Sequence, residues 1–216
     1  MRLTTIKCST SEAFQHFNNI KKMDLPIIQE IRKCTVCEPD LPMGANPIVT
    51  AIKETKIGLI SQAPGRIAHV SDLAWNDPSG RRLREWLNVT DPVFYDPKNF
   101  GVLPMGFCYP GKGKSGDLPP RKECAPLWHE PLLAALPNIE IFLLIGAYSQ
   151  KYYLGKTRKK NLTETVRAYE EYLPRFFPLV HPSPLNFRWQ KKNPWYEAEV
   201  VPVLQERIKN ILPKTE

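Results

Sequence analysis

The chain is expected to fold as an α/β protein, a three-layer α/β/α sandwich around a central, mostly parallel sheet of four strands. Two observations point there. Four short apolar runs are continuous rather than alternating: Lys56 to Gln62 (KIGLISQ), Phe100 to Met105 (FGVLPM), Ile139 to Gly146 (IEIFLLIG) and Phe176 to His181 (FFPLVH). That is the pattern of strands buried on both faces. Between them lie segments with apolar residues at helical spacing, and strands alternating with helices build a parallel sheet covered on both sides. No repeat, low-complexity tract or linker divides the 216 residues, so one domain over 1–216 is expected.

Residues 1–30 read as a helical lead-in, with Phe14, Phe17, Ile20 and Met23 at roughly helical spacing, followed by Ile27, Ile28 and Ile31 up to Cys34. After the first strand, Ala63-Pro64-Gly65 breaks the chain sharply. Gly80 to Leu87 (GRRLREWL) has a helical period, and Ala125 to Leu136 (APLWHEPLLAAL) is a helix started or interrupted by Pro131. Tyr148 to Leu154 and Leu162 to Tyr172 read as helical, and Trp195 to Leu212 as a final helix. The 22 prolines mostly punctuate loops. Ligands of open parallel sheets bind outside the carboxyl ends of the strands. Those ends carry QAPG, GFCYPG, GAYSQ and HPSPLN.

No apolar run approaches membrane-spanning length, and the N-terminal MRLTTIKCSTSEAF lacks the apolar core of a signal peptide. A cytoplasmic, monomeric protein without a membrane partner is the expectation. The formal net charge is +8. Lys156, Arg158, Lys159 and Lys160 form one basic cluster, and Arg188, Lys191 and Lys192 another beside Phe187, Trp189 and Trp195. Cations interleaved with aromatics suit a phosphate backbone and stacked bases. Five cysteines in a cytoplasmic chain argue for metal, catalysis or burial rather than a disulfide framework.

Gln62-Ala63-Pro64-Gly65 after the first apolar run and His181-Pro182-Ser183-Pro184-Leu185 after the last, in that order, resemble the two motifs of the uracil-DNA glycosylase superfamily. LLIGAYSQ is similar to its third-strand segment, and the resemblance spans roughly Ile31 to Ile211. It implies an enzyme that flips a deaminated base, uracil or a related one, out of DNA, because the glycosidic bond is out of reach in the stack. His181 would then donate to the departing base, whose developing negative charge needs a fixed donor. Leu185 would fill the gap in the stack. Ser183 and nearby amides would grip a phosphate, and Pro182 and Pro184 would stiffen the loop. Gln62, Ala63, Pro64 and Gly65 would shape the pocket floor and the water site. The plainer reading of His181 is a core histidine closing a strand, with Phe187 and Trp189 simply packed.

Cys34 and Cys37 form a C-x-x-C, and Cys108 and Cys124 follow with fifteen residues between them. This is similar to the branch of the superfamily that carries a four-iron cluster. Four thiolates suit a 4Fe-4S cluster or tetrahedral zinc, and spacing alone does not separate the two; the resemblance favours iron. Four buried free cysteines are the other reading. Cys8 falls outside the pattern.

The chain departs from the family in three places. Ala63 stands where the best-known branch has a water-orienting aspartate. The longer segment Arg66 to Ser79 brings together Trp75, Asn76 and Asp77; Asp77 is a candidate general base or a cap for the helix at Gly80, and Asn76 a candidate reader of a base edge. The expected base-stacking phenylalanine aligns with Leu83, and the uracil-reading asparagine has no counterpart in GVLPMGF, leaving Phe107, Tyr109 or Trp75 as stacking faces. A monofunctional DNA glycosylase is therefore expected, with a catalytically silent DNA-binding module as the alternative. An enzyme of free nucleobases or nucleotides is disfavoured by the Leu185 loop and its basic flanks.

Overall fold

The computed structural model describes residues 25–213. The helical lead-in lies outside them up to residue 24, as does Cys8. Among the described residues there are six strands: β1 (Ile57–Ile60), β2 (Phe100–Val102), a hairpin of β3 (Lys112–Gly113) and β4 (Gly116–Asp117), β5 (Ile141–Ile145) and β6 (Phe176–Leu179). The central sheet has the order β2-β1-β5-β6. Every pairing in it is parallel, with Ile57 opposite both Phe100 and Ile141, and Phe142 opposite Phe176. All four carboxyl ends therefore meet along one rim.

Continuous apolar runs work as strands here because both faces are covered. Side chains alternate across a strand, so Leu59, Leu143 and Phe177 enter one core while Ile60, Phe142 and Leu144 enter the other. The first core is closed by α3 (Pro78–Leu87), α4 (Asp91–Tyr95), α7 (Leu162–Arg167) and α9 (Val201–Ile211). The second is closed by α1 (Pro26–Arg32), α5 (Cys124–Ala134) and α6 (Ala147–Leu154). The α/β/α layering expected from the sequence is the architecture observed. Among the described residues no helix is long and apolar enough to cross a membrane.

The elements depart from the apolar runs for local reasons. β2 stops at Val102 because Pro104 has no N–H, although Leu103 N still reaches Leu59 O (2.9 Å) and Met105 N reaches Ser61 O (2.8 Å). Pro178 is tolerated inside β6 because that strand is an edge. Leu162 to Tyr172 divides into α7 and a 3-10 turn over Tyr169–Tyr172. The final helix begins as a π turn, Tyr196–Val200, because Pro202 offers no N–H to continue the α pattern. Pro131 lies inside α5 without ending it. Short helices α2 (Arg66–Ser71) and α8 (Phe187–Lys192), the helix α4 and the β3–β4 hairpin were not expected from periodicity.

One close approach positions the rim. A Cβ on Gly80, in the first turn of α3, would lie 1.7 Å from the carbonyl oxygen of Trp75. Gly80→Ala is therefore expected to destabilise the protein by about 1–3 kcal/mol, the usual scale for forced overpacking. Chemical denaturation checks this, and a stability within about 0.3 kcal/mol of the parent would contradict the close approach.

Candidate active site at the carboxyl ends of the strands

A cleft of about 370 Å3 opens on the rim, lined by residues from the QAPG turn, the Trp75–Ser79 segment, the β3–β4 hairpin and the HPSPLN loop. The fold thus brings together Gln62, Ala63, Pro64, Gly65, Asp77, His181, Ser183 and Leu185, which lie far apart in sequence. Chain order alone does not make them neighbours. Parallel β1–β5–β6 pairing does, because it puts the residues after Ile60 and after Leu179 on the same side.

His181 is half-buried two residues past β6. The backbone N–H of Ser183 donates to its Nδ1 (3.2 Å), so Nδ1 is the acceptor and the neutral ring carries its proton on Nε2. Nε2 has no hydrogen-bond partner among the described residues, and the ring borders the cleft. Burial holds the imidazole below its ordinary pKa, against the opposing field of Asp77. The loop beyond is bonded to itself: Asn186 Nδ2 donates to His181 O (2.8 Å), and Leu185 N donates to Ser183 Oγ (3.2 Å). Gln150 Nε2, wholly buried, donates to Leu144 O (3.2 Å) and Leu179 O (2.9 Å), clasping the ends of β5 and β6 under this loop.

Trp75 backs His181, their rings stacked at 5.8 Å and 29°. Its backbone has φ of 60°, a left-handed conformation that costs a bulky residue on the order of 1–3 kcal/mol. Surrounding bonds impose it. The Trp75 carbonyl accepts from Arg84 Nη1 and from the Tyr95 hydroxyl, each at 3.2 Å. Arg84 is held in turn by Asp91 at 2.6 Å. The strain sits behind the ring that faces the cleft.

The remaining expected residues fall in several places. Asp77 Oδ1 accepts from Gly80 N (2.8 Å), so Asp77 caps α3 while its residue still borders the cleft. Asn76 lines a neighbouring groove with Arg81 and Glu85 rather than the cleft. Leu83 is fully buried in the first core, and Phe107 is buried in the second beside the cysteines; neither borders the cleft. Of the three stacking faces, only Trp75 borders the cleft. Residues not anticipated from the sequence also line it, among them Ser61, Asn186 and Asp117. The glycines of K-G-K-S-G-D are turn residues from which the hairpin carrying Asp117 could have been read, although apolar periodicity gave no sign of it.

Beside the cleft, Leu185 is 73% exposed and Phe187 is 59% exposed. Arg188, Lys191 and Lys192 of α8 are exposed and form no ion pair among the described residues. Trp189 is not an exposed face as its neighbours are. It packs against the first core and donates from Nε1 to Thr163 Oγ1 (2.9 Å), while Arg82 Nη1 reaches Gln190 Oε1 (2.9 Å). Trp195 likewise packs inward, with the Arg167 guanidinium 4.8 Å from its ring centre. The aromatics of this segment anchor α8, and its cations stay without carboxylate partners.

A second, small pocket, which Phe107 also lines, is bordered by Cys34, Cys37, Cys108 and Cys124. All four are free thiols. Burial, then the neighbouring thiols, pushes Cys108 up to about 12 and Cys124 up to about 11. Such a set favours its charged form only beside a cation. The donors fit a thiolate-bound group in kind, although among the described residues no three donors converge closely enough to hold a single ion as they stand.

Comparison with solved structures finds the solution NMR structure of a candidate uracil DNA glycosylase from Methanosarcina acetivorans. It is 13% identical, with a TM-score of 0.43 over 72% of this chain and 92% of that one. A family model also matches, that of the uracil DNA glycosylase superfamily, over residues 47–205. That span contains the QAPG turn, the Asp77 cap, the hairpin and the HPSPLN loop, and it makes this chain a member of the uracil DNA glycosylase superfamily.

Proposed function

We propose that the chain is a monofunctional DNA glycosylase that flips a deaminated base, uracil or a related one, out of DNA and hydrolyses its N-glycosidic bond. One observation carries the reading. His181 is fixed by Ser183 N–H as the Nε2–H tautomer on a cleft whose lip is the exposed Leu185. As the bond to C1′ breaks, the electron pair moves onto the base, and Nε2–H donates to the carbonyl oxygen where charge gathers. A preformed loop, bonded through Asn186 and Ser183, needs little reordering to do this. Trp75 buttresses the imidazole and offers an aromatic wall, while the end of β2 carries no asparagine of the uracil-specific pattern. His181→Ala is expected to slow single-turnover excision by about a hundredfold while DNA affinity changes little. The His181 pKa lies below its ordinary value, so the ring stays neutral and its contribution to the excision rate should be flat from about pH 6.5 to 8. The unfolded ring takes up a proton first, so this group's contribution to stability falls as pH drops through about 6.5. A parental rate for His181→Ala would sink the assignment.

DNA is the proposed partner, engaged by Leu185 as a wedge and by Arg188, Lys191 and Lys192 as phosphate-binding cations. Neutralising the three should weaken binding about equally for all sequences and lower the salt slope by about one for each phosphate no longer neutralised. Leu185→Ala should instead impair excision from duplex more than from single strands, which have no stack to invade. Equal losses on both substrates, measured side by side, would make Leu185 ordinary packing.

Cys34, Cys37, Cys108 and Cys124 are the proposed ligands of a 4Fe-4S cluster, with zinc as the alternative. When bound, the group supplies a cross-link between the segment before β1 and the loop that returns to α5. Anaerobically purified protein is expected to be brown, with about four irons and four sulfides per chain. Stoichiometric zinc in colourless protein would replace iron, and metal-free protein of unchanged thermal stability would remove the site.

A further inference from the structure

Hydrolysis of a glycosidic bond needs a water brought to C1′, and in this chain Ala63 has no group to orient it. Two carboxylates border the cleft. Asp77 has one oxygen committed to the α3 cap. Asp117, the last residue of β4, has no hydrogen bond or ion pair to its carboxylate among the described residues, although Lys112 is its partner across the hairpin. Its Oδ2 lies 3.5 Å from where a Cβ on Gly65 would stand. The carboxylate therefore approaches the QAPG turn from outside, over the motif whose second position is Ala63.

The hairpin that presents Asp117 is held at its base by two hydrogen bonds. Leu118 N donates to Gly111 O (2.8 Å), closing the base of the hairpin. Gln62 Nε2 donates to Leu118 O (2.8 Å), so the motif glutamine grips the residue next to Asp117. At the tip, Gly116 has φ of 121°, which a side chain rarely adopts, and a Cβ there would come within 3.8 Å of Leu185 Cδ1. The hairpin thus spans from the motif turn to the exposed leucine.

We propose that Asp117 is the carboxylate that activates the attacking water, supplied from the β3–β4 hairpin to the place Ala63 leaves without one. The assignment rests on the glycosylase reading above and deepens it. Water oxygen forms a bond to C1′ as the C1′–N bond breaks and its electron pair leaves with the base. The water proton passes to Asp117 and then to the departing base, so the products are the free base and a C1′ hydroxyl. Partial burial and then Asp77 raise the Asp117 pKa, with Lys112 opposing, which makes the ionised carboxylate a better proton acceptor. Gln62 becomes a positioning residue, acting through Leu118 rather than on the substrate.

The test measures single-turnover excision from a uracil-containing duplex and, separately, duplex affinity. Asp117→Asn is expected to lose about a hundredfold or more in rate with affinity and thermal midpoint unchanged, the range for a general base. An Asp117→Asn protein that excises at the parental rate overturns the proposal and leaves the glycosylase reading standing; a loss confined to Asp77→Asn would pass the role to Asp77. If the parental protein releases no base from any deaminated lesion, the glycosylase reading fails. Asp117 is then judged by binding alone, using duplexes with a cationic pyrrolidine or a neutral tetrahydrofuran abasic site. About tenfold preference for the cationic site, abolished by Asp117→Asn, supports a carboxylate at C1′. No preference, or one that survives the substitution, overturns it.

Discussion

The parallel pairing of β1 with β5, Ile57 to Ile60 against Ile141 to Leu144, is the constraint on which the rest of the structure depends. It forms the centre of the sheet, with β2 outside one strand and β6 outside the other. Parallel strands must return by crossovers, and these crossovers cover both faces. That is why every strand in the sheet is apolar in both directions. The same pairing aligns the carboxyl ends, so a turn near residue 62 and a loop near residue 181 become two walls of one cleft.

Around that cleft, polar groups are used mainly to fix backbone. Gln150 ties β5 to β6, Asn186 ties the HPSPLN loop to His181, Gln62 ties the hairpin to the QAPG turn, and Arg84 ties Trp75 to α3. Side-chain donors spent on carbonyls remove the freedom that loops otherwise have, and preorganised loops lose little on binding. Arg84 is itself buried and is balanced by Asp91. The left-handed Trp75 backbone persists because three groups over-determine it: Arg84, Tyr95 and the missing side chain of Gly80.

The cysteine pocket and the cleft are joined by one length of chain. Cys108 and Cys124 bracket the segment whose middle is the β3–β4 hairpin, and Phe107, beside Cys108, packs into the second core. Four thiols line one pocket at the foot of that segment, and burial keeps Cys108 and Cys124 in the neutral thiol form.

Much of this protein was determined by local sequence. Continuous apolar runs specified both-face burial and hence the α/β/α layering, and QAPG and HPSPL marked the two rim segments that border the cleft. Asp77 before Pro78 carried a capping signal that the helix uses. What tertiary structure decided was which neighbours those segments meet. Leu83, which aligns with the family's stacking phenylalanine, and Phe107, one of three candidate stacking faces, went to the cores because the backbone there points them inward, while Trp75 took the wall beside His181. Trp189, apolar beside cations, reads in sequence as a surface aromatic, yet a hydrogen bond to Thr163 turns it inward. Asp117 had no signal of its own, because its place depends on a hairpin folding back across more than fifty residues onto Gln62, and periodicity reports only on neighbours along the chain.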